Sequence, residues 1–224
     1  MEVVAEITPS LNRDLILKKF AKLKTLVDKV DIPEAPGGKA TAHSLAVGVL
    51  AMQQGLEPIV HIRLLDVNKT GLKSLLGAAR LLGLEYVVLL QGDPPAEGSP
   101  VRDVTTEEAI AEAKKMGLKA GALLSLRREY AKRLEAGADF YLALHFSHKD
   151  QLRGLPRNVY PYIIVETPKN APLIQRLRQT AVPPQRAVEL AEEIDGLVDA
   201  VVISAPGDFE ALVEVLRQIK ASHR

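Results

Sequence analysis

The sequence predicts an α/β protein built as a single domain over residues 1–224: a compact (β/α)8 TIM barrel with short loops. Three observations carry this. Short β-branched or apolar runs alternate with helical patterns along the whole chain, and there are eight such runs. The runs are nearly continuous in apolar residues, as in parallel strands buried on both faces. The 224 residues, 47% apolar and 25% charged, supply one large core. Typical barrels reach about 250 residues, so short loops follow from the length.

The elements run as follows. The first strand is expected at Val3–Thr8, and the first helix at Leu15–Leu26, with Leu15, Ile16, Phe20, Leu23 and Leu26 on one stripe. Strand Val27–Ile32 and helix Ala42–Gln54 come next, then strand Pro58–Leu64 and helix Lys73–Leu82. Strand Tyr86–Leu90 leads to helix Thr105–Lys115, which opens on a Thr105-x-x-Glu108 capping box and closes at Gly117. Strand Ala120–Leu124 precedes helix Leu126–Ala136, ended by Gly137. After strand Phe140–Phe146, Lys149–Gly154 has room for barely one helical turn. Strand Tyr160–Val165 is followed by two helices, Ala171–Thr180 and Gln185–Ile194, and strand Ala200–Ser204 by helix Asp208–Ile219. Strands alternating with helices of this length make βαβ units. The alternative, a doubly wound open sheet, lacks a GxGxxG after its first strand. Gly37-Gly38-Lys39 is no P-loop, because Ala40 stands where Ser or Thr must hold magnesium.

Composition excludes several classes of function. Lys+Arg of 29 against Asp+Glu of 28 leaves a net charge of +1, without the basic excess of a nucleic-acid binder. The absence of cysteine removes disulfides, thiolate metal sites and cysteine nucleophiles. With five Tyr, four Phe and no Trp, the core must be aliphatic. No apolar run approaches the roughly 20 residues of a membrane span. The N-terminus is acidic where a secretory signal would be basic. A soluble cytoplasmic protein is expected.

In a barrel of this kind chemistry sits at the C-terminal ends of the strands. That rule selects Glu6, Asp31, Glu34, His61, Arg63, Asp66, Gln91, Asp93, Ser125, His145, His148, Glu166, Thr167 and Ser204. Glu6 lies inside an apolar run. Burial would raise its pKa towards that of a general acid working near neutral pH; equally, it could be a structural Glu paired with an interior Arg or Lys. Asp93 is held between Gly92 and Pro94-Pro95, which suits either a fixed carboxylate at the mouth or a turn-forming Asp. His61, alone in mid-strand, reads first as a core histidine. His61, His145, His148 and Glu166 show no recognised metal-ligand spacing, so no metal is expected. Lys132-Arg133 reads most simply as a solvated helix face.

Several of these residues carry a specific resemblance. The stretch Gly55-Leu56-Glu57-Pro58-Ile59-Val60-His61-Ile62-Arg63, the run from Leu75 to Gly83, and Leu89-Leu90-Gln91-Gly92-Asp93-Pro94-Pro95 occur in an order that resembles the methylenetetrahydrofolate reductase family. Ala136-Gly137-Ala138-Asp139-Phe140 is similar to its AGADF motif, and Glu6-Ile7-Thr8-Pro9 to its first-strand E-x-x-P. The similarity covers roughly residues 3–95 and 132–146. It implies a barrel that binds FAD at its mouth, takes hydride from NADH or NADPH, and converts 5,10-methylenetetrahydrofolate to 5-methyltetrahydrofolate. It further implies Glu6 as general acid, Asp93 as a catalytic carboxylate near flavin and pterin, His61, Gln91 and Gly92 as flavin contacts, and Lys132 and Arg133 on the FAD phosphates. The chain departs from the family at three points. Gln91 replaces an Arg, the family's folate-binding Gln falls on Leu144, and the loop after the fifth strand is only Leu124-Ser125-Leu126. These departures leave open a modified tetrahydropterin as substrate. They also leave open a flavin-independent reductase, and a pterin-binding barrel working as an accessory to a partner subunit; separately, a barrel this lean is open to forming a homo-oligomer.

Overall fold

A computed structural model describes residues 1–222. Eight parallel strands close into a barrel in sequence order: β1 (Glu2–Glu6), β2 (Lys29–Ile32), β3 (Glu57–Arg63), β4 (Tyr86–Leu90), β5 (Lys119–Ser125), β6 (Phe140–Leu144), β7 (Val159–Ile164) and β8 (Ala200–Ser204). β8 pairs back onto β1 with Val4 opposite Val202. The helices are α1 (Arg13–Leu23), α2 (Ser44–Gln53), α3 (Lys69–Leu81), α4 (Thr106–Lys115), α5 (Ala131–Glu135), α6 (Ala171–Leu177), α7 (Pro184–Glu193) and α8 (Phe209–Ser222). They lie outside the sheet and bury residues such as Ile16, Phe20, Leu72, Leu76, Ala109 and Leu216 against it. The expected (β/α)8 architecture is observed. The Thr105–Glu108 capping box forms in both directions, and Gly117 adopts φ +76°.

The principal departure is α5. A helix was expected over Leu126–Ala136, but only Ala131–Glu135 is helical. Tertiary contacts take the first half. Leu126 N–H donates to the Leu144 carbonyl, and the Arg127 guanidinium donates to the Arg178 carbonyl and the Thr180 hydroxyl. The sixth crossover has only the 3-10 turn Lys149–Leu152, as its length required.

The two-residue period of a strand fixes what faces the barrel interior. Val4, Ile59, Val88, Phe140, Leu142, Tyr162, Ile164 and Val202 form a buried apolar interior cluster. Gly121 belongs to this inner set because Phe140 fills its side-chain space: a Cβ there would lie 2.4 Å from the Phe140 ring. Below this layer, Lys29 is clamped by Glu2 and Glu57, each at 2.9 Å, with its ammonium over the Tyr86 ring. Two residues further along each strand, the same parity places Glu6, Asp31, His61, Leu144 and Ser204 towards the C-terminal mouth.

Candidate active site at the mouth of the barrel

Glu6 ends β1 and is partly exposed. Ser204 Oγ, from β8, donates to its Oε1 at 2.9 Å, and Tyr162 Oη, from β7, lies 2.6 Å from its Oε2. Tyr162 Oη also lies 2.5 Å from Asp31 Oδ2. The other Asp31 oxygen accepts from His61 Nε2 at 2.8 Å. Asp31 is fully buried and His61 nearly so. Among the described residues no Arg or Lys pairs with Glu6, so the alternative of an interior Glu–Arg or Glu–Lys pair is not what these residues form.

The electrostatics follow from this packing. Burial raises the Glu6 pKa and the Asp31 charge raises it further, against the hydrogen bonds from Tyr162 and Ser204 and the charge of His61. Burial alone would lower the His61 pKa. The charge and hydrogen bond of Asp31, with Glu6 and Glu34, outweigh it and raise the imidazole above its ordinary value. Tyr162 is pushed well above the usual phenol range by burial and by the same two carboxylates.

A second set of contacts ties the mouth loops together. The buried Arg63 guanidinium reaches the Asp66 carboxylate at 2.6 and 3.1 Å, the Ala35 carbonyl at 3.0 Å and the Asp93 carbonyl at 2.9 Å. Gly92, at φ +84°, lets that guanidinium pack against the backbone, since a Cβ would sit 3.2 Å from Arg63 atoms. Ala96 N–H donates to the Gly38 carbonyl at 2.8 Å, joining the loops after β2 and β4.

The sequence-derived residues are therefore not all brought together. Glu6 and His61 meet through Asp31 and Tyr162. Asp93 lies on the exposed rim and contributes its carbonyl, not its carboxylate, to the Arg63 contacts. Leu144 faces inward at the end of β6 and packs on the interior cluster. His145 has φ +65°, a left-handed conformation uncommon outside glycine, and its pKa is lowered by burial and by the nearby charges of Arg127 and Arg128. His148 caps the 3-10 turn with Gln151.

The residues carried over as FAD contacts do not form a cradle. His61 Nε2 is turned inward onto Asp31. Gln91 Nε2 donates to the Val104 carbonyl. Arg133 pairs with Glu107 of α4 at 2.7 Å, and Lys132 is exposed on α5. Arg63 fills the space over Gly92. These residues do not fit a flavin as they stand.

Fold and cluster together define a (β/α)8 barrel carrying a buried acid–base network at its C-terminal mouth. A sequence profile described as methylenetetrahydrofolate reductase matches residues 8–157, and the chain belongs to the methylenetetrahydrofolate reductase family. The matched span begins two residues beyond Glu6 and ends before Tyr162 and Ser204. Among solved structures, one similar chain is an uncharacterised protein from Clostridium thermocellum that binds two copies of 5-methyl-5,6,7,8-tetrahydrofolic acid. Its TM-score is 0.75 at 10% identity, covering 99% of this chain and 96% of that one. Another is tryptophan synthase from M. tuberculosis in an open form, with TM-score 0.63, 12% identity and coverage of 98% and 91%. At such identities both are likenesses of fold. A search of curated protein sequences finds no match. Among the described residues no helix is long and apolar enough to cross a membrane.

Proposed function

We propose that the protein reduces a 5,10-methylene-tetrahydropterin, folate or a close relative, to its 5-methyl form, with Glu6 as general acid. The observation that carries this is a carboxyl group whose pKa is raised by burial and by the Asp31 charge, partly exposed at the mouth of a barrel of this family. Glu6 gives its proton to the leaving nitrogen of the imidazolidine ring. The ring opens, and the one-carbon unit remains on the other nitrogen as an iminium. A hydride then adds to that carbon and completes the methyl group. Proton and hydride together account for the two-electron reduction. General acid catalysis of this kind is worth about 10²–10⁴-fold.

Because the flavin contacts do not assemble, the hydride is assigned to NADH or NADPH directly, with no step through FAD. Leu144 gives the pterin an apolar wall in place of an amide. The cationic loop of Arg127 and Arg128 beside His145 suits the carboxylates of a folate tail. The binding of 5-methyltetrahydrofolic acid by the similar Clostridium thermocellum protein supports a reduced pterin as ligand.

The test uses flavin-free protein, NADH or NADPH deuterated at C4, and 5,10-methylenetetrahydrofolate. Deuterium in the product methyl group is the expected result. Turnover only after FAD addition, with a flavin absorbance band, would return the cofactor to FAD. Tight pterin binding without turnover under either condition would leave a non-catalytic pterin-binding barrel.

A further inference from the structure

The hydrogen-bond geometry around Tyr162 fixes where one proton sits. Its phenol oxygen is 2.6 Å from Glu6 Oε2 and 2.5 Å from Asp31 Oδ2. Oxygens this close need a hydrogen between them. Two such contacts need two hydrogens, and the phenol supplies one. The second must belong to a carboxyl group. Asp31 already accepts from His61 Nε2, deep in the barrel, whereas the second donor to Glu6 is the neutral Ser204 hydroxyl. The anion is therefore best held at Asp31 and the extra proton at Glu6. The network then has one direction: Glu6 donates to Tyr162, Tyr162 donates to Asp31, and His61 donates to Asp31 from the other side.

We propose that Asp31, anchored by His61 and by the Tyr162 hydroxyl, is a positioning residue that keeps a proton loaded on Glu6. The inference deepens the general-acid reading of the same site. The titratable groups that bear on Glu6 among the described residues are Asp31 from β2, His61 from β3 and Tyr162 from β7. Ser204 from β8 is a neutral partner. Beyond His61 lie Glu34, which accepts from the Ser44 N–H at 2.6 Å, and His43, 3.6 Å from Glu34. β6 presents only Leu144 at this level. Asp31, His61 and Tyr162 touch no reacting atom. Their effect is on whether Glu6 is an acid when substrate arrives, and Tyr162 and Ser204 fix the direction in which it points.

The experiment reads Glu6 itself in the free protein. The infrared carboxyl band that is present in wild type and absent in Glu6→Gln reports protonated Glu6 and is followed against pH. The band is expected to persist at about pH 7. Asp31→Asn removes the neighbouring anion and should lower the Glu6 midpoint by about one unit or more, tenfold in its acid constant. Asp31→Ser removes the same anion through a smaller side chain and should lower the midpoint likewise. A purely structural role would move neither midpoint. An ionised Glu6 at neutral pH in wild type would overturn the proposal, as would an unchanged midpoint in a folded Asp31→Asn protein. Should Asp31→Asn fail to fold, Asp31→Ser decides alone: a downward shift supports the proposal and an unchanged or raised midpoint overturns it. These readings need no substrate, so absent reductase turnover with the shifts intact would count against the proposed reaction and not against the proton arrangement.

Discussion

Arg63→Met tests whether one buried guanidinium holds the mouth loops. Met approximates the stem of Arg and keeps its packing, so the loss is polar. In the wild type Arg63 is 3% exposed and joins the Asp66 carboxylate to two carbonyls, of Ala35 and Asp93, on different loops. Removing it leaves both carbonyls without that donor, at about 1–3 kcal/mol each where water does not replace it. Asp66 is partly exposed and can rehydrate, which limits the loss of the ion pair to less than the 3–5 kcal/mol of a fully buried one. The sum is about 3–5 kcal/mol. For a chain of this size each kcal/mol lowers Tm by about 2–4 °C, so a fall of roughly 6–20 °C is expected in a circular dichroism melt. Gly92→Ala supplies the control. In wild type it should cost more than the roughly 1–2 kcal/mol of a left-handed alanine, because its Cβ meets Arg63. In the Arg63→Met background the crowding is gone, and the pair should show a coupling above about 0.5 kcal/mol. A stability loss under about 1 kcal/mol for Arg63→Met, with no coupling, would refute the reasoning.

Other expected outcomes follow from the same geometry. Gly121→Ala drives a methyl into the Phe140 ring and should cost about 3 kcal/mol or more in urea denaturation; a cost below about 1 kcal/mol would mean that the inner layer yields easily. Stability should fall as pH rises from the ordinary carboxylate value of 4.5 towards the raised Glu6 value, because the folded state there holds a proton the unfolded chain has released. His61, also raised, continues the fall as pH passes from its ordinary value of 6.5 through its folded one. Glu6→Gln should flatten the first part of this dependence, and a steeper profile in that variant would contradict the assignment.

The barrel was legible because its eight apolar runs and its caps are local signals. α5 was over-read because helical spacing in residues 126–130 yields to contacts that only the closed barrel supplies, those of Arg127 with Arg178 and Thr180. Glu6 stands out as a carboxylate in an apolar run, and Asp31, His61 and Ser204 are selected at strand ends, whereas Tyr162 is not. Tyr162 sits in Tyr160-Pro161-Tyr162-Ile163-Ile164 and reads as core, and Asp31 reads as the polar end of a strand. Strand parity could have found Tyr162 and joined it to the others. Counting in twos from Val4, Lys29, Ile59, Tyr160 and Val202 reaches Glu6, Asp31, His61, Tyr162 and Ser204, all facing one interior. The exposure of Asp93 and the pairing of Arg133 with Glu107 were out of reach, since they depend on how loops and helices from different repeats meet.

The central claim is that Glu6 supplies the proton for reduction of a methylene-tetrahydropterin. The most direct measurement is anaerobic formation of 5-methyltetrahydrofolate from 5,10-methylenetetrahydrofolate and NADH or NADPH by wild type and Glu6→Gln, with pterin affinity measured alongside. The account predicts product with wild type and a loss of about 100-fold or more in the variant at little-changed affinity. Equal turnover by the two proteins, or no product from wild type with either donor, would contradict it.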